Sequence, residues 1–386
     1  MKRRLTTNYP ASDEGPKLCQ TSEEKNNTPI ISGNSFKDEK MMKKFLLPCT
    51  VLFLLFSLCN VSFAQKKLKM GFVAPPSHPE VKAGQAFADY VKEKTNGEIQ
   101  IDIFPMGQLG GERSMAEQVQ SGTLDMMHCT TAVLSNFVPQ VALFDLPFLW
   151  PSRGVAYSVL GDSEFFKIFA DTFPQKGFMA IGYGENEMRD LTNIKREIRR
   201  PEDVKGLKIR VMESPVYLET WKILGASPVP MPFPEVYNAL QQGVIDAQEN
   251  PLMTSVMMKF TEVCPYATTT NYSLQELFQI VNIDVWESLT LKQQQIFRDA
   301  AAISIKENRE NSMKMLSEVI SKLEADGNVK VTRLTKEERA AFEQKVQPVY
   351  AKFEKKVGTI PNKPEYGRYA GMTYLQMIKE KIEQYQ

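Results

Sequence analysis

The sequence predicts an α/β protein built as two lobes, with one long helix laid across both. Two stretches, residues 67–127 and 201–247, each switch between the two-residue period of a strand and the 3.6-residue period of a helix. A third, from Thr290 to Gly327, runs without an internal proline or glycine, behind a capping box. At 386 residues and 42% apolar content the chain can fill more than one core of ordinary size.

Residues 1–40 are polar and scattered with Asn, Ser, Lys and Glu, a composition that buries too little surface to offset ordering entropy; they are expected to be a disordered or spurious N-terminal extension. Residues 41–64 have the layout of a secretory signal peptide. Met41-Met42-Lys43-Lys44 is the basic start, Phe45 to Leu58 the apolar stretch, and Ser62-Phe63-Ala64 the small-residue cleavage site. Translation from Met41 or Met42 would account for its position. The apolar run is shorter than the ~20 residues a membrane span needs and contains Pro48. Cys59, behind Leu58, is a poor fit to a lipidated cysteine. The expected location is the periplasm, with cleavage near Ala64.

Beyond residue 64 the chain carries 38 basic and 40 acidic residues and no basic stripe, so no nucleic-acid partner is expected. Cys129 and Cys264 are the cysteines that remain; buried free thiols are expected, with one disulfide as the alternative.

The first block reads strand (Leu68, Met70, Phe72), helix (Val81, Ala83, Phe87, Tyr90, Val91, closed by Gly97) and strand (Ile99, Ile101, Ile103). A helix from Arg113 to Gln120 then leads past Gly122 into a strand at Leu124 to Met127, continuing a parallel pattern. The second block reads turn (Pro201 to Gly206), strand (Leu207 to Val211), helix (Pro215 to Leu224), strand (Ser227 to Val229), helix (Pro234 to Gln242) and strand (Val244 to Ala247). Thr290 to Gln293 opens the long helix, whose polar middle, Lys306 to Ser312, fits one bridging helix or two with a break. Another helix starts at Thr335 to Glu338 and bends or ends near Pro348; a last one begins near Met372.

Catalytic patterns are thin. After residue 64 only His78 and His128 supply imidazoles, and HExxH, CxxC, Walker A and GxSxG patterns are missing. Gly182-Tyr183-Gly184 starts like a dinucleotide loop, but Glu187 stands where the third glycine belongs and would repel a pyrophosphate. His78, before Pro79, reads as a helix cap or surface residue, and His128 as a residue beside a strand. An enzyme working in the same crevice, with Glu112 or Glu249 as general base, is the rival class. No cofactor or metal is expected.

Arg210 shares the polar side of its strand with Lys208; that side is either a solvated face or, at the carboxyl end where open α/β sheets bind ligands, part of a site. Its planar donor fork matches a carboxylate with two charge-assisted hydrogen bonds. Ser214 can cap the following helix, whose first N–H groups favour an anion. Arg189 is either a second anion contact or the partner of Asp190, and Asn250 either a polar contact or a plain turn residue.

Four segments recur in order in one known family: Gly107-Gln108-Leu109-Gly110-Gly111-Glu112-Arg113, Gly206 to Val211, Pro232-Phe233-Pro234-Glu235-Val236-Tyr237, and Asp246 to Pro251. From about Lys67 to the last helix the chain resembles the substrate-binding subunits of tripartite ATP-independent periplasmic (TRAP) transporters, the DctP type. The resemblance implies a two-lobed periplasmic binding protein fold, type II-like and of cluster E. Lobe I is then expected over 65–187 plus 276–315, and lobe II, with the C-terminal helices, over 188–275 plus 316–386. It implies that Arg210 anchors a ligand carboxylate, that Arg189 is a second arginine near the ligand, and that Asn250 orients Arg210. Phe233 would be an apolar wall and Glu112 a polar position facing the cleft. Thr130 stands where sialate-binding relatives place an acid, and Glu185 to Met188 also depart from the common pattern. The implied ligand is a C4-dicarboxylate or a sugar acid such as a uronate. The implied partners are the small and large membrane subunits of a TRAP transporter; a receptor feeding a sensor kinase is the second reading.

Overall fold

The structure, a computed structural model, describes residues 65–386; the signal peptide and the extension read at 1–64 lie outside the described residues. Nine strands form one sheet among them, in the order β2-β1-β3-β8-β4-β7-β5-β6, with β9 beside β8.

The first block folds as β1 (Lys66–Gly71), α1 (Pro79–Lys94), β2 (Ile99–Phe104), α2 (Glu112–Ser121) and β3 (Met126–Thr130). β1 lies parallel to both β2 and β3, as the strand and helix periods predict. α1 is capped at its C-terminus by Thr95, not by Gly97, which follows two residues later at φ +81°. A helix α3 (Arg153–Leu160) then leads toward β4 (Phe178–Asn193). The second block supplies β5 (Lys208–Val211), α4 (Pro215–Leu224), β6 (Ser227–Pro230) and β7 (Ala247–Pro251), with β5 parallel to β6 and β7. β7 begins where the expected strand ends, because Val244 and the turn before it stay outside the ladder.

The two longest strands have no counterpart in the expected layout. β4, 16 residues, and β8 (Tyr266–Asn282), 17 residues, pair antiparallel with each other through the middle of the sheet. The sheet is therefore mixed: two parallel triplets, one from each block, are joined by two long antiparallel strands. The β4–β8 register shifts three times, including between Glu185 and Met188 and between Arg189 and Leu191. Such bulges bend and twist a strand. The expected lobe boundaries, 187/188 and 275/276, fall inside these two strands.

A short helix α5 (Leu252–Met257) follows β7, and α6 (Leu291–Asp326) is a single unbroken helix of 36 residues with Thr290 and Gln293 closing a capping box. It packs on α1, on β4 and on α5, so it touches elements of both blocks. Its polar middle has two faces: Ser304, Asn308 and Ser312, one turn apart, are buried, while Lys306, Glu310 and Asn311 are exposed. Gly182 makes that approach possible, since a Cβ on it would come within 2.9 Å of the Ala301 methyl, and Gly184 lies against Ile305. The resemblance of these glycines to a dinucleotide loop is thereby replaced by a packing role inside β4.

After β9 (Lys330–Arg333), α7 (Lys336–Val357) passes through Pro348 without ending, and α8 (Tyr374–Tyr385) closes the chain against α3. α7 packs on α4 of the second block. Cys129 and Cys264 are buried free thiols. No helix among the described residues is long and apolar enough to cross a membrane.

Candidate functional site

The carboxyl ends of β1, β3 and β5 meet the middle of β8 and the end of β7 around one small cavity. It is lined by Val73 and Ala74 after β1, Thr130 at the end of β3, Met212 after β5, Asn250 of β7 and Gln275 and Leu277 of β8, with further residues from both blocks. This is the crevice position open α/β sheets use for ligands. The enclosed space is about 30 Å³, room for roughly two water molecules.

Arg210 is the third residue of β5 and is 2% exposed. Its Nε and Nη2 both donate to the Met231 carbonyl, at 2.9 and 2.7 Å, and its guanidinium lies over the Phe233 ring, 5.9 Å from the centroid. Nη1 is buried and has no hydrogen-bond partner. Burial, with Arg189 nearby, pulls this arginine down to about 10, against the opposing pull of Glu249 and Glu112; it remains a cation at neutral pH. A buried guanidinium edge left unpaired is costly unless something else completes it.

Arg189 is differently placed. It leaves β4 between two bulges, is fully buried, and forms an ion pair with Glu249 through Nε. Nη1 donates to Gln275 Oε1 at 2.7 Å, and Nη2 to the Glu249 carbonyl and, at 3.2 Å, to Asn250 Oδ1. Burial works against its charge, but Glu249 and the hydroxyls of Tyr217 and Tyr272 more than restore it, so its pKa is raised. Tyr272 also donates to Glu249 Oε2 at 2.6 Å. Of the two readings of Arg189, pairing with Asp190 is excluded: Asp190 accepts backbone N–H groups instead, with Asn271 N at 2.9 Å. Asn250 orients Arg189, not Arg210, because β7 pairs with β4 at that register.

Glu112, the first residue of α2, accepts the backbone N–H of Thr130, which caps the next helical turn. Phe233 follows β6 in a short turn and forms the apolar side of the cavity. Ser214 does cap α4, but its hydroxyl donates to Asp145 at 3.1 Å, so an internal carboxylate already answers this end. All six expected site residues are thus within one constellation, four of them, Glu112, Thr130, Phe233 and Asn250, on the cavity wall.

The wall also holds residues that sequence reasoning gave to packing or passed over: His78, Glu80, His128, Thr254 and Gln275. His78 does cap α1, its Nδ1 accepting from the Glu80 N–H, yet it is buried and its Nε2 faces Thr254 Oγ1 at 3.3 Å. Phe72 meets the edge of His128 with ring centroids 4.9 Å apart. The available signal was the single fact that these are the only two imidazoles after residue 64.

Glu112, Asp145 and Asp190 are each pushed up to about 7, chiefly by burial. In the unfolded chain such groups titrate near ~4, so folding takes up protons between these values, and that stabilisation is lost as pH rises through about 7. His78, lowered by burial, opposes the trend as pH falls below its ordinary value. The three carboxyls outnumber it. The thermal midpoint is expected to be higher at pH 5.5 than at pH 8, and Glu112→Gln should shrink that difference; a flat calorimetric profile would contradict the assignment.

A mixed sheet bent across two long strands, with a half-used arginine next to Phe233 and Met212 of the cavity wall, is the build of a two-lobed solute-binding protein. The comparisons agree. Residues 70–356 match the model of the bacterial extracellular solute-binding proteins, family 7 (DctP). A solute-binding protein of Verminephrobacter eiseniae is 34% identical over 295 residues, covering 76% of this chain and 87% of that one. The 2,3-diketo-L-gulonate-binding periplasmic protein YiaO of Escherichia coli is 32% identical over 240 residues, 62% of this chain and 73% of that one. Among solved structures, the sugar acid binding protein DctPAm of Advenella mimigardefordensis in complex with galactonate superposes with a TM-score of 0.76 at 30% identity, covering 83% of this chain and 99% of that one. The chain belongs to extracellular solute-binding protein family 7, the DctP family.

Proposed function

We infer that this protein is the periplasmic receptor of a TRAP transporter: it captures a small organic acid and delivers it, chemically unchanged, to the small and large membrane subunits. The observation that carries the reading is the buried, unpartnered Nη1 edge of Arg210. A ligand carboxylate completes that edge with a charge-assisted hydrogen bond and supplies the missing counter-charge. Glu249 and Asn250 hold Arg189 beside it, and Phe233 backs the guanidinium. Closure follows from the same parts. The bulged β4 and β8 flex, the ligand bridges β5 and its surroundings to the β1–β3 side, and the closed form is the one the membrane subunits recognise. The relatives bear on the ligand class, since one binds diketogulonate and another galactonate. A signal peptide at 41–64 would place Gln65 at the mature N-terminus, which intact-mass measurement of the exported protein checks.

The test is a thermal-shift panel of aldonates, uronates, 2-oxo acids and C4-dicarboxylates on the purified protein. A ligand at a hundred times its Kd stabilises the folded state by ~2.7 kcal/mol, a shift of several degrees. No shift with any carboxylate would sink the reading.

A further inference from the structure

We propose that the loop 105–111 and the turn 231–235 form a clasp at the rim of the cavity, a contact of glycine backbone with proline rings that shuts over the bound acid and sets how long it stays. This rests on the receptor reading above and adds the part of the chain that retains the ligand. The loop follows β2 and the turn follows β6, the two ends of the sheet's strand order, seven strand positions apart. A flat sheet would hold them roughly 34 Å apart, at ~4.8 Å per strand. Here they touch. An ideal Cβ on Gly107 would come within 3.1 Å of Pro234 Cγ, and one on Gly111 within 3.3 Å of Pro232 Cβ. The contact exists because the sheet bends across β4 and β8, and it parts when that bend opens.

Each side is fastened to its own block. The Met106 and Gly107 N–H groups donate to the Ala74 and Phe72 carbonyls, both at 2.9 Å, which ties the loop to the chain leaving β1. The turn is held from the other side: Arg210 donates twice to the Met231 carbonyl, and the Phe233 ring meets the edge of Phe260 with centroids 5.8 Å apart. Among the described residues no hydrogen bond joins the loop to the turn. What joins them is dispersion alone, with no directional bond to break when they separate. The prolines, their φ fixed by the ring, present the same face each time the gap closes.

Clasp and binding wall alternate along the chain. Gly111 precedes Glu112, and Phe233 stands between Pro232 and Pro234, while Glu112 and Phe233 line the cavity. The turn is positioned by Arg210, the same side chain whose free edge takes the ligand carboxylate. Ligand and clasp thus bear on one guanidinium, and a carboxylate that fixes Arg210 also steadies the turn that must meet Gly107 and Gly111. A contact made after the ligand has entered acts on its escape, so the clasp tunes dissociation and leaves association almost untouched.

The experiment is stopped-flow kinetics on the purified protein with galactonate, or with the tightest-binding acid of the thermal-shift panel should galactonate not bind. Gly111 has φ −68° and ψ 164°, open to any residue, and it is the N-cap of α2, where serine is favoured. Gly111→Ser therefore drives a Cβ against Pro232 without straining the backbone. Pro234 is exposed, and Pro234→Ala removes the Cγ that meets Gly107. The dissociation rate is expected to rise about tenfold in Gly111→Ser and about threefold in Pro234→Ala, with the association rate within about twofold of the parent's. The ligand-free thermal midpoint should stay within ~2 °C, whereas a merely structural role would move the midpoint and spare the dissociation rate. An unaltered dissociation rate in both variants, or in Pro234→Ala alone should Gly111→Ser fail to fold, overturns the inference and leaves the receptor function standing; so does a loss of affinity carried by association. Absence of binding by every acid of the panel overturns the function itself, and the clasp with it.

Discussion

Replacing Arg210 by methionine is expected to remove carboxylate binding from a calorimetric titration while the protein stays folded, with a ligand-free thermal midpoint within a few degrees of the parent's. Removing one partner of a buried charge pair costs about 2–5 kcal/mol or more in a complex, which is roughly thirtyfold to several thousandfold in Kd. The fold is spared because the same side chain is no asset to the empty protein. Its Nη1 is buried and unpartnered, and burial already depresses its pKa. Methionine relieves that desolvation and leaves only the Met231 carbonyl short of a donor. The two effects oppose each other at about 1–3 kcal/mol each. Arg210→Lys keeps the charge without the planar fork and should recover only part of the affinity. A Kd within threefold of the parent's for Arg210→Met would move the anchor elsewhere.

Arg189→Met should do the reverse, destabilising the ligand-free protein. Glu249 is completely buried, and its charge is answered by Arg189 and the Tyr272 hydroxyl; taking the arginine away strands a carboxylate in the sheet. Breaking such a pair costs about 3–5 kcal/mol. In a chain of this size the midpoint should fall by roughly 5–10 °C. The double variant Arg189→Met with Glu249→Leu removes both charges and should regain a good part of the loss, since a buried pair is often worth no more than apolar groups of its size. If Arg189→Met alone keeps the parental midpoint, the ion pair is not holding the bend.

The contrast between these two arginines marks the limit of what the sequence could disclose. Arg210 was legible because local pattern decides its setting: Leu207, Ile209 and Val211 alternate with Lys208 and Arg210, and a helix start follows. The helices were legible for the same reason, down to the capping boxes at Thr290 and Thr335. β4 and β8 were not. Both are largely buried on two faces, so the alternation that betrays a strand is erased, and three register shifts break what remains. The partners of Arg189 lie 60 or more positions away and are chosen by strand register, which no local window contains. Glu80 was silent for a related reason: His78, two positions away, caps the same helix, but His128 comes from β3.

The long antiparallel pair also sets a clock. β3 meets the centre of the sheet only when Met126 pairs with Val281, and the two halves join only when β4 pairs with β8, so the first parallel triplet is not tied to the second until the last third of the chain exists. Contacts of such sequence separation form slowly. The seam between the two halves of the sheet is therefore the last part of it that can close, after seven of its strands have been made.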